Sequence, residues 1–509
     1  MPHPSSRALG LGHILLVVAV FLWGAFLSFW NLLATNVHVD ERVYVDAGRA
    51  YVGGDFSANR EHPPLAKYVY GLAQLIFGDG VLGPRIVVGL LVMGSGLIIW
   101  LWLGREIGRM RALIPVLVWF CIPRGFGSEV LRIDRIAFLE PVMVFFALVA
   151  LASAWRWYRG GSTLWIVLSG VALGASVASK VSAAMFGVAL IVLLFGSGRR
   201  VAIVIRDALI FLATLVITFT LAYLPMGMVD AISGMLENQA AHNKFGHLVS
   251  IAGTVYTHAP WWSQLWLTKQ GLGTLGTVVL VIGMVLAVVL ARPRTLVLYL
   301  GVALAAFAGF HMFGTSVALS HYFAGWFWLM AMLAGLGISA LLPPAPSPAL
   351  PDGQEPARVR RGGSAGVLPR VVRFVRVLGA VVLIALVLVC GVKQSILVIS
   401  DRPQGLALLP AELTSHGLDG AVLAGGMPPY RVAPYVDNQE IFDPALVNGE
   451  GVRAIVLEAS DRFAIDARID RFLRENADLL EPIRMDNVTL YVLPRPLEYN
   501  GEELALKAP

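Results

Sequence analysis

Charge and cysteine are what this 509-residue chain has least of: 14% of it is charged, and Cys121 and Cys390 are its two cysteines. Both cysteines fall inside apolar runs, so no disulfide framework exists and the redox compartment goes unread. So little charge beside 57% hydrophobic residues and a mean hydropathy of +0.72 excludes an ordinary soluble chain. Internal repeats are absent as well, and the charged residues gather toward one face of the spans. Both facts count against a transporter, the alternative from a different class. The net charge of +6 and pI near 9.4 invite a nucleic-acid partner. That partner is excluded, because the basic residues sit at the ends of hydrophobic spans, where topology accounts for them.

What the chain has in abundance is apolar runs of about 20 residues, the length that crosses a bilayer. Eleven are expected, roughly at 12–35, 83–104, 110–124, 135–156, 163–179, 181–198, 202–225, 272–291, 295–314, 320–342 and 374–399. The first is too long for a signal-peptide core and lacks a small-residue cleavage site, so it reads as an uncleaved span. With the N-terminus inside, the inner connections collect Arg7, Arg105, Arg109, Arg111, Arg156, Arg159, Arg199, Arg200, Arg206, Arg292, Arg294 and the arginines from Arg358 to Arg376. The acids then fall outside, as the positive-inside rule requires. Four domain-level pieces follow: a membrane domain over 1–342, a Pro/Gly/Arg-rich inner linker over 343–373, a last span over 374–399 and an outer tail over 400–509. The tail's runs at 420–425, 453–459 and 488–493 read as strands, with an amphipathic helix between Ala464 and Leu480. The fold class is therefore an α-helical polytopic membrane protein with a small extracytoplasmic α/β domain.

The chain is organised around the polar stretch from His38 to Tyr68, directly after the first span. It carries Asp40, Glu41, Asp46, Asp55 and Glu61 among Arg42, Arg49, Arg60, His62 and Lys67. Acids at the lip of a membrane helix are costly unless they line a wet polar cavity, which makes them functional candidates. Asp40-Glu41, followed twenty residues later by Glu61-His62-Pro63-Pro64-Leu65-Ala66-Lys67, resembles the first outward loop of the GT-C membrane glycosyltransferases. It is most similar to that of the protein O-mannosyltransferases. The acid directly before the histidine is instead similar to the aminoarabinose transferases that modify lipid A.

Three further stretches carry the resemblance. Arg135 to Glu140 is similar to the family's Arg-x-x-x-Leu-Asp run, with Glu140 replacing Asp. Gly174 to Lys180 is similar to a small-residue helix ending in Ser-Lys. The segment 226–271, read as a long outer loop, holds His242, His247, His258 and the run Pro260-Trp261-Trp262. The family likeness implies a GT-C multispan domain with an outward active site. It implies an inverting transfer of a sugar, mannose above all, from a polyprenyl-phosphate donor to a Ser or Thr hydroxyl of an exported protein. Aminoarabinose or arabinose transfer to a lipid or glycan is the neighbouring alternative.

An inverting transfer needs a carboxylate to take the acceptor's proton and cations or a metal to hold the leaving phosphate. Asp40 is the candidate base, and Glu41, beside it in the catalytic pair, is read as orienting the site or a substrate group. A helix-end carboxylate paired with Arg42 or Arg85 is the bland alternative for Asp40. Arg132, Arg135, Lys180 and Lys67 are candidates for the donor phosphate, an arginine fork suiting phosphate oxygens. Glu61, His62, Glu140, His242, His258 and Trp262 are candidates for binding substrate or supporting the site. No cofactor is demanded. A divalent cation is the one admitted, with Glu61 and His62 as an incomplete ligand set. The expected partners are the lipid-linked donor, a secreted or membrane protein (or a lipid or glycan) and the bilayer. The compartment is the plasma membrane in a bacterium and the endoplasmic reticulum in a eukaryote.

Overall fold

The computed structural model describes residues 10–125, 131–343, 367–418, 422–428, 431–436, 439–440, 447–449, 451–458 and 464–508. Most of the linker expected at 343–373 lies outside them. The helices run α1 (Leu11–Phe29), α2 (Val39–Val52), α3 (Leu65–Phe77), α4 (Leu82–Ile107), α5 (Leu113–Cys121), α6 (Leu139–Tyr158) and α7 (Thr163–Val177). They continue with α8 (Leu190–Gly196), α9 (Val201–Tyr223), α10 (Met228–Phe245), α11 (Ser263–Leu290), α12 (Arg294–Phe313), α13 (Ala324–Leu341) and α14 (Val367–Ile399).

Among the described residues, eight helices are long and apolar enough to cross a membrane: α1, α4, α6, α9, α11, α12, α13 and α14. These correspond to eight of the eleven apolar runs. The other three form shorter pieces, α5, α7 and a 3-10 stretch (Val181–Ala189) that leads into α8. α5 stops early because Ile122 precedes Pro123 and turns extended, with ψ of 135°. α13 is the centre of the bundle, 94% buried along its apolar window, whereas α9 is 6% buried and forms the rim. A helix apolar on every side belongs inside a bundle or against lipid, and these two show both cases.

The polar stretch after α1 is largely helical. Glu41, Tyr44, Val45, Gly48 and Tyr51 recur at helical spacing and form the buried side of α2. α2 lies tightly against α3: a Cβ on Gly71 would stand 2.1 Å from the Gly48 carbonyl oxygen, and one on Gly48 would stand 2.5 Å from that of Lys67. Only glycine permits that crossing. The segment 226–271 is likewise more than a loop. It contains α10 and a two-stranded hairpin of β1 (Val249–Ile251) and β2 (Thr254–Tyr256).

In the tail, β3 (Val422–Gly425), β4 (Gln439–Glu440), β5 (Ala454–Glu458), β6 (Pro482–Met485) and β7 (Val488–Val492) form one sheet in the order β4-β3-β5-β7-β6. β3 runs parallel to β4 and β5, whereas β7 runs antiparallel to β5 and β6. The amphipathic helix expected between Ala464 and Leu480 spans Ala467–Glu475, burying Ile469 and Phe472 against the sheet.

Candidate active site

One end of the bundle gathers the C-terminal ends of α1, α7 and α12, the N-terminal ends of α4, α6 and α13, and the whole of α2. His38 caps α2, its Nδ1 accepting the Asp40 N–H at 3.1 Å. Asp40 and Glu41 then occupy the first turn, where the exposed N–H groups of a helix favour carboxylates. Successive residues on a helix point about 100° apart, and the two acids accordingly meet different surroundings. Glu41 turns inward and is fully buried. Its Oε1 accepts from Arg85 Nε at 2.8 Å and from the Ala137 N–H at 2.9 Å, and its Oε2 accepts from an Arg85 Nη at 2.6 Å. Three hydrogen bonds thus tie Glu41 to Arg85 and to the head of α6.

Asp40 turns outward. Its side chain is 35% exposed, and His38 Nδ1 lies 3.9 Å away. Neither arginine weighed as its partner takes it: Arg42 pairs with Asp46 at 2.6 Å, and Arg85 with Glu41. Around Asp40 lies a set of groups close enough to feel its charge, namely Tyr44, His321 and Tyr322. Glu140 accepts from Lys180, and His321 Nε2 stands 3.6 Å from it. The Lys180 ammonium sits 4.2 Å from the centre of the Tyr322 ring. His62 packs edge-on against Tyr44, ring centres 5.6 Å apart, and Glu61 accepts from Asn59 Nδ2 at 2.6 Å. His242 lies within electrostatic reach of His62. The cluster thus joins Asp40, Glu140 and Lys180 at its centre, with Glu61, His62 and His242 at its margin. Among the described residues, no three His, Cys, Asp or Glu side chains converge as a metal site.

The family model described as dolichyl-phosphate-mannose-protein mannosyltransferase matches residues 61–225. No protein of curated function matches the sequence. Among solved structures, ArnT from Cupriavidus metallidurans bound to undecaprenyl phosphate is similar at a TM-score of 0.55 and 16% identity, over 95% of this chain and 98% of that one. Its apo form gives a TM-score of 0.58 at 15% identity, over 94% and 97%. The Archaeoglobus fulgidus oligosaccharyltransferase, tethered to an acceptor peptide, gives 0.51 at 12% identity, over 88% of this chain and 69% of that one. This is the GT-C fold.

Within the GT-C frame, three of the four cations expected at a donor phosphate are spent elsewhere. Arg132 is fully buried and grips Asp134 with two bonds of 3.0 and 2.7 Å. Asp134 also takes Arg124 at 2.8 Å, so a buried acid rather than a ligand holds this pair of arginines. Arg135, also fully buried, donates to the carbonyls of Leu27, Trp30 and Asn31. The Leu27 and Trp30 carbonyls lie at the C-terminal end of α1, so Arg135 caps α1, and it shares the Asn31 carbonyl with the Ala34 N–H. Lys67 spends its donors on the carbonyl and side chain of Asn59 and on the carbonyl of His62, tying down the connection between α2 and α3. Each would have to break buried bonds to reach a phosphate. Lys180 donates to Glu140 but keeps 15% of its side chain exposed, which makes it the most accessible of the four. His258 and Trp262 lie outside the cluster. His258 is exposed and bonds the Lys244 carbonyl at 3.1 Å, while Trp262 packs on Tyr256 of the hairpin.

The residue that sequence reasoning undervalued is Arg85. It holds Glu41, and its remaining donors reach the carbonyls of Leu32, Thr35 and Asn36 at 2.6–3.1 Å. The available signal was a single arginine just inside an apolar run, where a charge needs a dedicated partner.

His321 supplies a pH prediction. Burial first, then the Lys180 charge, pushes its imidazole down to about 3, and His62 moves the same way to about 3 although part of its surface is accessible. An unfolded imidazole titrates near 6.5, so between about 6.5 and 3 the unfolded chain binds more protons. Stability is therefore full above about pH 6.5 and drains as pH falls, by up to about 1.4 kcal/mol per pH unit for each histidine. Melting of the purified protein should fall from pH 7 to pH 5, and His321→Gln should flatten that slope. A slope identical in the variant would remove His321 as its source.

Proposed function

We propose that the chain is a glycosyltransferase that moves a sugar from a polyprenyl-phosphate donor to an acceptor hydroxyl, inverting the anomeric carbon, with Asp40 as the general base. The observation that carries this reading is the separation of the acids. Glu41 and Glu140 are buried and paired, whereas Asp40 presents an accessible carboxylate that pairs with no arginine among the described residues. Asp40 takes the proton from the acceptor hydroxyl while that oxygen attacks the sugar carbon. The bond from that carbon to the phosphate oxygen breaks, and polyprenyl phosphate leaves. Lys180 faces the developing phosphate charge, with Glu140 and the Tyr322 ring fixing its ammonium.

The sugar is mannose and the acceptor a Ser or Thr of an exported protein, a reading supported by the match of residues 61–225 to the mannosyltransferase model. The second reading, transfer to a lipid or glycan, draws on Glu61 standing directly before His62. It draws as well on the likeness, tail included, to a protein solved with undecaprenyl phosphate. In either reading residues 1–342 form the membrane catalytic domain, the N-terminus is inside, and the site and the tail face outward. The protein resides in the plasma membrane if its cell is bacterial.

Reconstituted wild-type protein, given radiolabelled polyprenyl-phosphate mannose, separates the two acceptors. Label in a Ser/Thr-rich peptide supports the first, label in lipid or glycan the second. No label in any acceptor, from this donor or other polyprenyl-phosphate sugars, would overturn the donor assignment. In the same assay Lys180→Met should raise the donor KM by about 10- to 100-fold, the cost of one lost charge-assisted hydrogen bond. An unchanged KM would remove Lys180 from the phosphate.

A further inference from the structure

The tail grips the segment leading into α2 through polar contacts that the proposed chemistry does not use. Thr35 Oγ1 donates to Asp401 Oδ2 at 2.6 Å, and Thr35 itself is 2% exposed. The Asn36 side chain pairs with the backbone of Gln404 in both directions, donating to its carbonyl at 3.0 Å and accepting its N–H at 3.1 Å. Tyr435 donates its hydroxyl to the Val37 carbonyl at 2.8 Å. Residues 35, 36 and 37 are thus each held by the tail, and the next residue, His38, caps α2 against Asp40. From the opposite side the carbonyls of Leu32, Thr35 and Asn36 accept from Arg85. The segment before Asp40 is therefore clamped between a buried arginine and the tail. A cleft open to solvent runs along the joint between His38, Gln404, Arg431, Tyr435 and Asn487, so water can enter it.

We infer that the tail is a working part of the active site, in which Tyr435 and the Thr35–Asp401 contact are positioning residues for Asp40. The inference rests on Asp40 being the base. Hydrogen bonds in a joint that water can enter add little net stability, because water competes for the same groups. They do fix direction, and a shift of about 1 Å in a catalytic group costs on the order of 10²-fold in rate. Contacts at residues 35 and 37 control where the first turn of α2 begins, and with it where the Asp40 carboxylate points.

Two readouts test this, one of them independent of activity. Cys121 and Cys390 are buried, so in Asp40→Cys the new thiol is the reactive one toward a membrane-impermeant thiosulfonate. Adding Tyr435→Phe or Thr35→Val should change its labelling rate about three- to tenfold, the equivalent of one hydrogen bond, whereas Thr35→Ser should restore it. With Asp40 intact, Tyr435→Phe should lower kcat about tenfold and leave the donor KM unchanged. Arg471→Gln, which breaks an exposed pair with Glu503 away from the joint, serves as the control and should move neither readout. Labelling rates unchanged by Tyr435→Phe and Thr35→Val would overturn the inference. So would a parallel fall of kcat, donor affinity and melting temperature, which marks a merely structural role. Labelling that responds as expected, alongside full sugar transfer by Asp40→Asn, would uphold the positioning and sink the base assignment instead.

Discussion

Asp40→Asn is expected to lower sugar transfer by about 10²- to 10⁴-fold, the usual contribution of a positioned general base. Asparagine keeps the shape of the side chain and its place in the first turn, but it cannot take the acceptor's proton. The fold should not suffer. Asp40 is one-third exposed, lies 3.9 Å from His38 and makes no ion pair with an arginine, and exposed pairs contribute little to stability. Yield, melting temperature and affinity for polyprenyl phosphate should therefore stay near wild type while kcat collapses. Full transfer by Asp40→Asn would leave Glu61 as the acid to examine next, since Glu41 and Glu140 are buried and paired.

Arg85→Ala should have the largest effect on stability. Removing one partner of a buried pair leaves an uncompensated charge and typically costs about 3–5 kcal/mol. Here the pair is fully buried on both sides, so solvent cannot screen what remains. Arg85 also serves the carbonyls of Leu32, Thr35 and Asn36, which would be left without donors. The expected result is a lower melting temperature in detergent and little folded protein in membranes. A variant that melts with wild type would show that the Glu41–Arg85 pair is not what holds the head of α2.

The different surroundings of Asp40 and Glu41 were not legible from the two letters, because neither letter names its partner. Helix phase distinguishes them. Glu41 shares the stripe of Tyr44, Val45 and Gly48, and Asp40 does not, but the polarity of the stretch obscured the helix. The arginines misled for a different reason. Arg132 and Arg135 stand where a lipid phosphate would be welcome, but their partners are Asp134 and the last carbonyls of α1. Backbone carbonyls about a hundred residues away leave no mark in composition. α10 was missed because its polar residues outnumber a clear apolar stripe. By contrast, the long spans and three of the tail's strands were legible from apolar runs alone, since bilayer thickness and strand alternation constrain them directly. The order of the tail's sheet was not, because a crossover depends on packing that no local pattern encodes.

The most direct measurement compares Asp40→Asn and Glu41→Gln in one preparation, recording sugar transfer per folded molecule together with melting temperature. A clean division between the two variants is expected. Asp40→Asn melts like wild type and transfers on the order of a hundredth as much or less. Glu41→Gln, which leaves the Arg85 charge buried and uncompensated, melts far lower, yet each molecule that does fold transfers at a rate within about tenfold of wild type. The reverse pattern, with Glu41→Gln stable but inactive and Asp40→Asn active, would contradict the assignment of the base.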